Sequence, residues 1–124
     1  MEKEIQEGNN LIAKFLGYNV KLVPGSTAPW DYTESHYVYN KNGITTGSFN
    51  AHLDMNLLNE AVEKFEKMNY GFKQCRKVVE MYVDSTKETL LHIKEESRRI
   101  SLFKALIIAI MRYNENTLMP EYAN

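Results

Sequence analysis

Residues 54–68, Asp-Met-Asn-Leu-Leu-Asn-Glu-Ala-Val-Glu-Lys-Phe-Glu-Lys-Met, constrain the fold most. Leu58, Ala61, Val62, Phe65 and Met68 recur at helical spacing and form one apolar stripe, which Leu57 widens. A helix of this kind must lay its stripe on a second layer, so the chain has to supply a sheet or further helices to cover it. The opposite face carries Glu60 with Lys64 and Glu63 with Lys67. In both pairs Glu precedes Lys by four positions, the favourable order, contributing about 0.2–0.5 kcal/mol each. Asp54 or Asn56 is the expected N-cap, and Asn69 with Gly71 supplies the stop.

The segments before this helix alternate in period. Residues 3–16 read as a helix with Ile5, Ile12 and Phe15 on one side and Leu11 and Leu16 at the margins. Gly8 costs about 1 kcal/mol relative to alanine in a helix interior, which moves the expected start toward Asn9. Gly17 falls where a left-handed C-terminal cap belongs. Residues 20–23 predict a short strand, ended by Pro24-Gly25. The turn-like residues 26–31 are interrupted by Trp30, which is expected to fold back over a core edge; the sharper alternative is a stacking platform for a ligand. Residues 35–49 predict a hairpin about Asn42-Gly43, because both residues tolerate positive φ. Tyr37 and Tyr39 share one face, His36 and Val38 the other. With Tyr32 they make this region aromatic, as cross-strand pairing on a half-buried sheet would require.

After the helix, residues 72–84 fit two periods, and the β-branched residues decide for a strand over 77–83. Asp84-Ser85-Thr86-Lys87 is turn-like, and residues 89–93 alternate as a returning strand. Residues 95–99 form a polar connection. Residues 100–113 return to a helix capped by Ser97 or Ser101, apolar around nearly its whole circumference. Such a helix is central in a fold or lies at an interface. In a chain of 124 residues a homodimer contact through Phe103, Ile107, Ile108 and Met111 is therefore an expectation.

Composition excludes several classes. The chain is long enough to bury a core without staples, and its 44% hydrophobic and 25% charged content is ordinary for one globular domain. A net charge of -1 argues against general nucleic-acid binding. A single cysteine, Cys75, allows no internal disulfide, and a cytoplasmic protein is expected. Residues 1–6 contain no apolar signal-peptide run. The longest apolar run, 105–111, falls far short of the roughly 18 residues that span a bilayer.

Chemistry-bearing motifs are not found: no phosphate loop, nucleophile elbow, His-Glu-x-x-His or Cys-x-x-Cys. The histidines His36, His52 and His92 lie on different elements, and no metal site or cofactor is expected. His52 precedes the amphipathic helix, at a cap or at a site edge. Cys75 has Lys73, Arg76 and Lys77 nearby but no partnered histidine, and reads as a structural or idle thiol. Glu80 and Asp84 would share a strand face, more simply a solvated one than an acid–base pair. Arg98-Arg99 and Lys94 form a small basic cluster opposed by Glu95 and Glu96.

Three blocks in this order carry a resemblance. They are Ile12-Ala13-Lys14-Phe15-Leu16-Gly17, then Asp54-Met55-Asn56-Leu57-Leu58-Asn59-Glu60-Ala61-Val62-Glu63-Lys64-Phe65-Glu66, then the closing Tyr113-Asn114. The chain resembles a family of small uncharacterised proteins of gut-bacterial genomes, phages and prophages, similar to the phage ABA sandwich domain. It departs from that pattern where Met55 and Leu57 replace two tryptophans, and the 35–49 hairpin looks like an addition. The resemblance implies an α+β sandwich and a mobile-element context, with no established activity and no catalytic residues.

The expected fold is therefore one α+β domain over 1–124: an antiparallel sheet of two hairpins plus a short strand, packed by three helices in the order α-β-ββ-α-ββ-α, with a loose tail from about residue 115. The expected function is non-enzymatic, a phage- or mobile-element-associated accessory protein that binds another macromolecule, such as a protein whose host process it inhibits. The alternative is a small-ligand-binding or sequestering domain using the Trp30/Tyr37 region. Candidate binding residues are Trp30, Tyr32, Tyr37, Tyr39 and His52.

Overall fold

The structure is a computed structural model and describes residues 2–30 and 32–118. Within them the order is α1 (Glu2–Phe15), β1 (Asn19–Val23), β2 (His36–Lys41), β3 (Ile44–Thr46), a 3-10 turn (Ala51–Leu53), α2 (Met55–Glu66), β4 (Tyr70–Cys75), β5 (Val78–Val83), β6 (Thr89–Lys94) and α3 (Arg98–Asn114). The α+β class holds. The strands form two separate three-stranded antiparallel sheets, β1-β2-β3 and β4-β5-β6, where a single sheet is predicted. Each hairpin takes its third strand from its own neighbourhood: β1 pairs with β2, and β4 pairs with β5.

The helix ends follow from backbone accounting. At α1 the Tyr18 N–H donates to Ala13 C=O and the Gly17 N–H to Lys14 C=O, with Gly17 at φ 93°, the reciprocal pair of a Schellman cap. Asn116, at φ 59°, closes α3 in the same way, with Thr117 N–H donating to Arg112 C=O. Asp54 caps α2 by accepting from Asn56 N–H at 2.9 Å. Ser97 caps α3 by accepting from Ile100 N–H at 3.2 Å. Ser101 is fully buried instead: its hydroxyl accepts from Glu95 N–H and donates to Lys77 C=O, tying α3 to both ends of the β5–β6 hairpin.

α3 is the centre of the molecule, touching α1, α2, β5 and β6. Much of its apolar circumference faces the fold: Leu102, Phe103, Ala105, Leu106, Ala109 and Ile110 are all buried. Beneath it, alternation places Phe72, Val79, Met81, Leu91 and Ile93 on the inner face of β4-β5-β6, and Lys73, Glu80, Tyr82 and His92 on the outer face. Phe65 joins the layers. Its ring stacks on Phe15 at 4.6 Å and meets Phe72, Tyr70 and Tyr113 at 5.9–6.2 Å.

Four expectations are corrected. Helix α1 runs through Gly8, because a Cβ there would lie 2.4 Å from Ile107 Cδ1 and 2.9 Å from Phe103 Cζ; the glycine lets α1 and α3 approach. Asn9 is accordingly a helix-interior residue and not a cap. Glu60–Lys64 and Glu63–Lys67 are not among the ion pairs of the described residues. Lys64 Nζ instead lies over the Phe15 ring and donates to the Phe15 carbonyl at the C-terminus of α1, where unpaired carbonyls attract a cation. Residues 70–75 form a sixth strand, with the Tyr82 ring lying against Gly71, where a Cβ would meet it at 2.3 Å. Finally, Leu118, within the segment expected to be loose, is buried; residues 119–124, including Pro120, lie outside the described residues. Met55 and Leu57 are partly buried against the core.

Candidate functional site

The β1–β2 hairpin extends beyond its own strands. Pairing holds one register from Asn19↔Asn40 to Val23↔His36, and the same register recurs at an isolated bridge between Ser26 and Thr33. Thr33 N–H donates to Ser26 C=O at 3.0 Å, and Ser26 N–H to Thr33 Oγ1 at 3.0 Å. Gly25 makes this extension possible: a Cβ there would lie 2.1 Å from the Thr33 carbonyl oxygen, so the two backbones touch. The result is an arm whose tip carries Trp30 and Tyr32, 87% and 68% exposed. The tryptophan therefore does not fold back over the core. Asp31 lies outside the described residues.

The base of the arm borders a cleft of about 370 Å³ lined by Gln6 of α1, Ser35, His36, Tyr37 and Tyr39 of the arm, and residues 47–50. Alternation puts Tyr37 and Tyr39 on the face turned toward α1. Tyr39 is 2% exposed. Its hydroxyl donates to Asn10 Oδ1 at 2.6 Å and accepts from Gln6 Nε2 at 2.7 Å, while Gln6 Nε2 also donates to Asn10 Oδ1 at 2.8 Å. Burial raises the Tyr39 pKa, partly opposed by the Gln6 bond, so the phenol stays a neutral donor. Phe49 fills the space behind it, 5.5 Å from Tyr39 and 5.0 Å from Tyr18. The Gly25 N–H donates to Ser35 Oγ, which leaves the Ser35 hydroxyl hydrogen free to donate. His36 Nδ1 is 3.1 Å from the Glu34 carbonyl, to which it donates. Among the described residues the lining offers amide, hydroxyl and imidazole groups beside aromatic rings, and no carboxylate or ammonium.

Of the predicted binding residues, Tyr37 and Tyr39 line the cleft, and Trp30 and Tyr32 stand on the same arm away from its lining. His52 lies in the 3-10 turn that follows the cleft wall. Asn9, 3% exposed, holds it at two points: its Oδ1 accepts from His52 N–H at 3.2 Å, and its Nδ2 lies 2.9 Å from His52 Nδ1. Of the predicted interface residues, Phe103 is buried, Ile107 and Ile108 are partly buried against the core, and Met111 is exposed.

The other candidates do not come together. Asp84 lies beyond the end of β5 and pairs with Lys87 at 3.2 Å, whereas Glu80 pairs with His92 at 3.4 Å on the outer sheet face; the two carboxylates share no strand. Cys75 is exposed. Among the described residues no group of three His, Cys, Asp or Glu side chains could hold a metal. Sequence reasoning missed Gln6, Asn9, Asn10, Ser35 and Asn50. The i, i+4 spacing of Gln6 and Asn10 is a local signal, but their partner Tyr39 is distant in sequence and leaves none.

Fold and site together define an α+β protein with an aromatic-tipped arm whose base borders a polar cleft. No family model, curated protein or solved structure matches this chain. No helix of the described residues is long and apolar enough to cross a membrane.

Proposed function

We propose that this chain is a non-enzymatic, cytoplasmic accessory protein of phage or mobile-element origin that binds another protein through the β1–β2 arm. The observation that carries the reading is the exposure of Trp30 and Tyr32 on an arm braced by backbone pairing. Scattered exposed apolar residues need no explanation. Tryptophan and tyrosine, however, dominate the energetics of protein interfaces, and a braced arm offers them with little ordering cost. Leu22, opposite Tyr37 in the same ladder, is also exposed, whereas the exposed Ile44 lies beside the turn at the other end of β2. The mobile-element context rests on the three sequence blocks above, and inhibition of a host process is the role that context suggests.

The test is affinity purification from the native host, using wild type and a Trp30→Ala/Tyr32→Ala double variant of verified fold. A stoichiometric protein recovered by wild type and lost by the variant supports the reading. Equal recovery by both would move the surface elsewhere.

The cleft favours a second reading, a small uncharged ligand held against Tyr37 by Gln6, Ser35 and His36. Native mass spectrometry of protein from its host separates the two. A retained metabolite without a protein partner favours the cleft.

A further inference from the structure

The contact between Asn9 and His52 contains a constraint on protonation. Asn9 Oδ1 is occupied by the His52 backbone N–H, so the group facing His52 Nδ1 is Nδ2, which can only donate. Nδ1 is therefore an acceptor, and the ring is neutral with its hydrogen on Nε2. A proton added to this ring must go to Nδ1, where it points at another donor. Turning the Asn9 amide over does not help, because Nδ2 would then face the His52 backbone N–H.

Among the described residues the contacts of the ring favour its neutral form. From α3 it is approached by the Phe103 ring, at 5.9 Å between centroids, and by the positive charge of Arg99. From α1 the facing group is the uncharged Asn9 amide. On the α2 side the exposed Asp54 carboxylate caps the helix through Oδ1 on Asn56 N–H and forms no ion pair with the ring. No ion pair of the described residues includes His52. Burial, and after it Arg99, holds the His52 pKa below its usual 6.5.

The His52 turn continues directly from residues 47–50, which form one wall of the cleft. We propose that Asn9 and His52 form an acid-sensitive clasp: protonating the His52 ring loosens residues 47–53 from α1 and α3 and widens the cleft. The clasp belongs to the fold and stands whatever the cleft or arm binds. Because the folded-state pKa is lowered, the unfolded chain takes up the proton first. The stability that the neutral ring contributes is complete above the unfolded value of 6.5 and declines as pH falls below it toward the lower folded value.

The test is amide hydrogen exchange of the full chain, corrected for intrinsic rates, between about pH 7.5 and about pH 5, a window spanning the ordinary histidine pKa. In wild type the protection of residues 50–54 should fall about fivefold on acidification, the equivalent of one hydrogen bond. His52→Asn keeps an acceptor near the Nδ1 position but cannot take a proton, and should abolish the dependence. Asn9→Asp places a carboxylate against the ring and should reverse its sign, so that acid tightens the turn. Unchanged acid sensitivity in His52→Asn, or an insensitive wild type, would overturn the proposal. Ring nitrogen shifts of the wild type give a reading that needs no variant: unprotonated Nδ1 at neutral pH supports the clasp, and protonated Nδ1 refutes it.

Discussion

The two three-stranded sheets share an antiparallel layout and differ in what covers them. Sheet β4-β5-β6 has α2 and α3 against it, and Val79, Met81 and Leu91 are buried on its inner face. Sheet β1-β2-β3 packs on α1 through β1 and through Tyr39 of β2, the one buried residue of its strands. Its β3 is exposed throughout, and its first two strands run on into the arm. The difference separates two tasks. The covered sheet contributes stability through apolar area removed from water. The uncovered one needs only enough anchoring, through Tyr39 and Phe49, to hold its exposed aromatic residues in place.

Substitutions can break or sharpen this division. The largest expected effect is in the covered half. Phe65→Ala removes a fully buried ring from four aromatic neighbours and should lower unfolding free energy by about 3–5 kcal/mol in urea titration. Ser101→Ala leaves the Glu95 N–H and the Lys77 carbonyl without their partner and should cost about 1–3 kcal/mol by the same measurement. Gly25→Ala drives a methyl into the Thr33 backbone. It should abolish the cross-strand nuclear Overhauser contacts at Ser26 and Thr33 while global stability falls by only about 1 kcal/mol. If it unfolds the whole chain, the arm is not separable from the core. Trp30→Ala, the smallest change, should stay within about 0.5 kcal/mol of wild type in thermal unfolding; a larger loss would make the tryptophan a packing residue after all.

The same division sets what was legible in the sequence. Helix α2, its Asp54 cap and its stripe follow from local spacing, and so does the Asn42-Gly43 turn, whose residues take φ values of 55° and 81°. What was not legible depended on partners far along the chain. Gly8 is a weak helix residue by propensity, yet its reason is α3 passing close beside it. Strand β4 hides behind Gly71, whose missing side chain is compensated by the Tyr82 ring on the neighbouring strand. Alternation assigns strands to faces but does not say whether two hairpins share a sheet, so one sheet is predicted where two form. Tyr37 and Tyr39 were legible as a pair on one face. That Tyr39 would be buried by hydrogen bonds to Gln6 and Asn10 was not, nor was the union of His52 with Asn9.

The proposed function requires the arm, and not the covered sheet, to meet the partner. Its most direct test is the binding of Trp30→Ala/Tyr32→Ala to the protein that wild type recovers from its host, measured by calorimetry on samples with matching unfolding transitions. Loss of at least about 2 kcal/mol of binding free energy, the scale of interface hot spots, is the predicted result. Binding equal to wild type would contradict it.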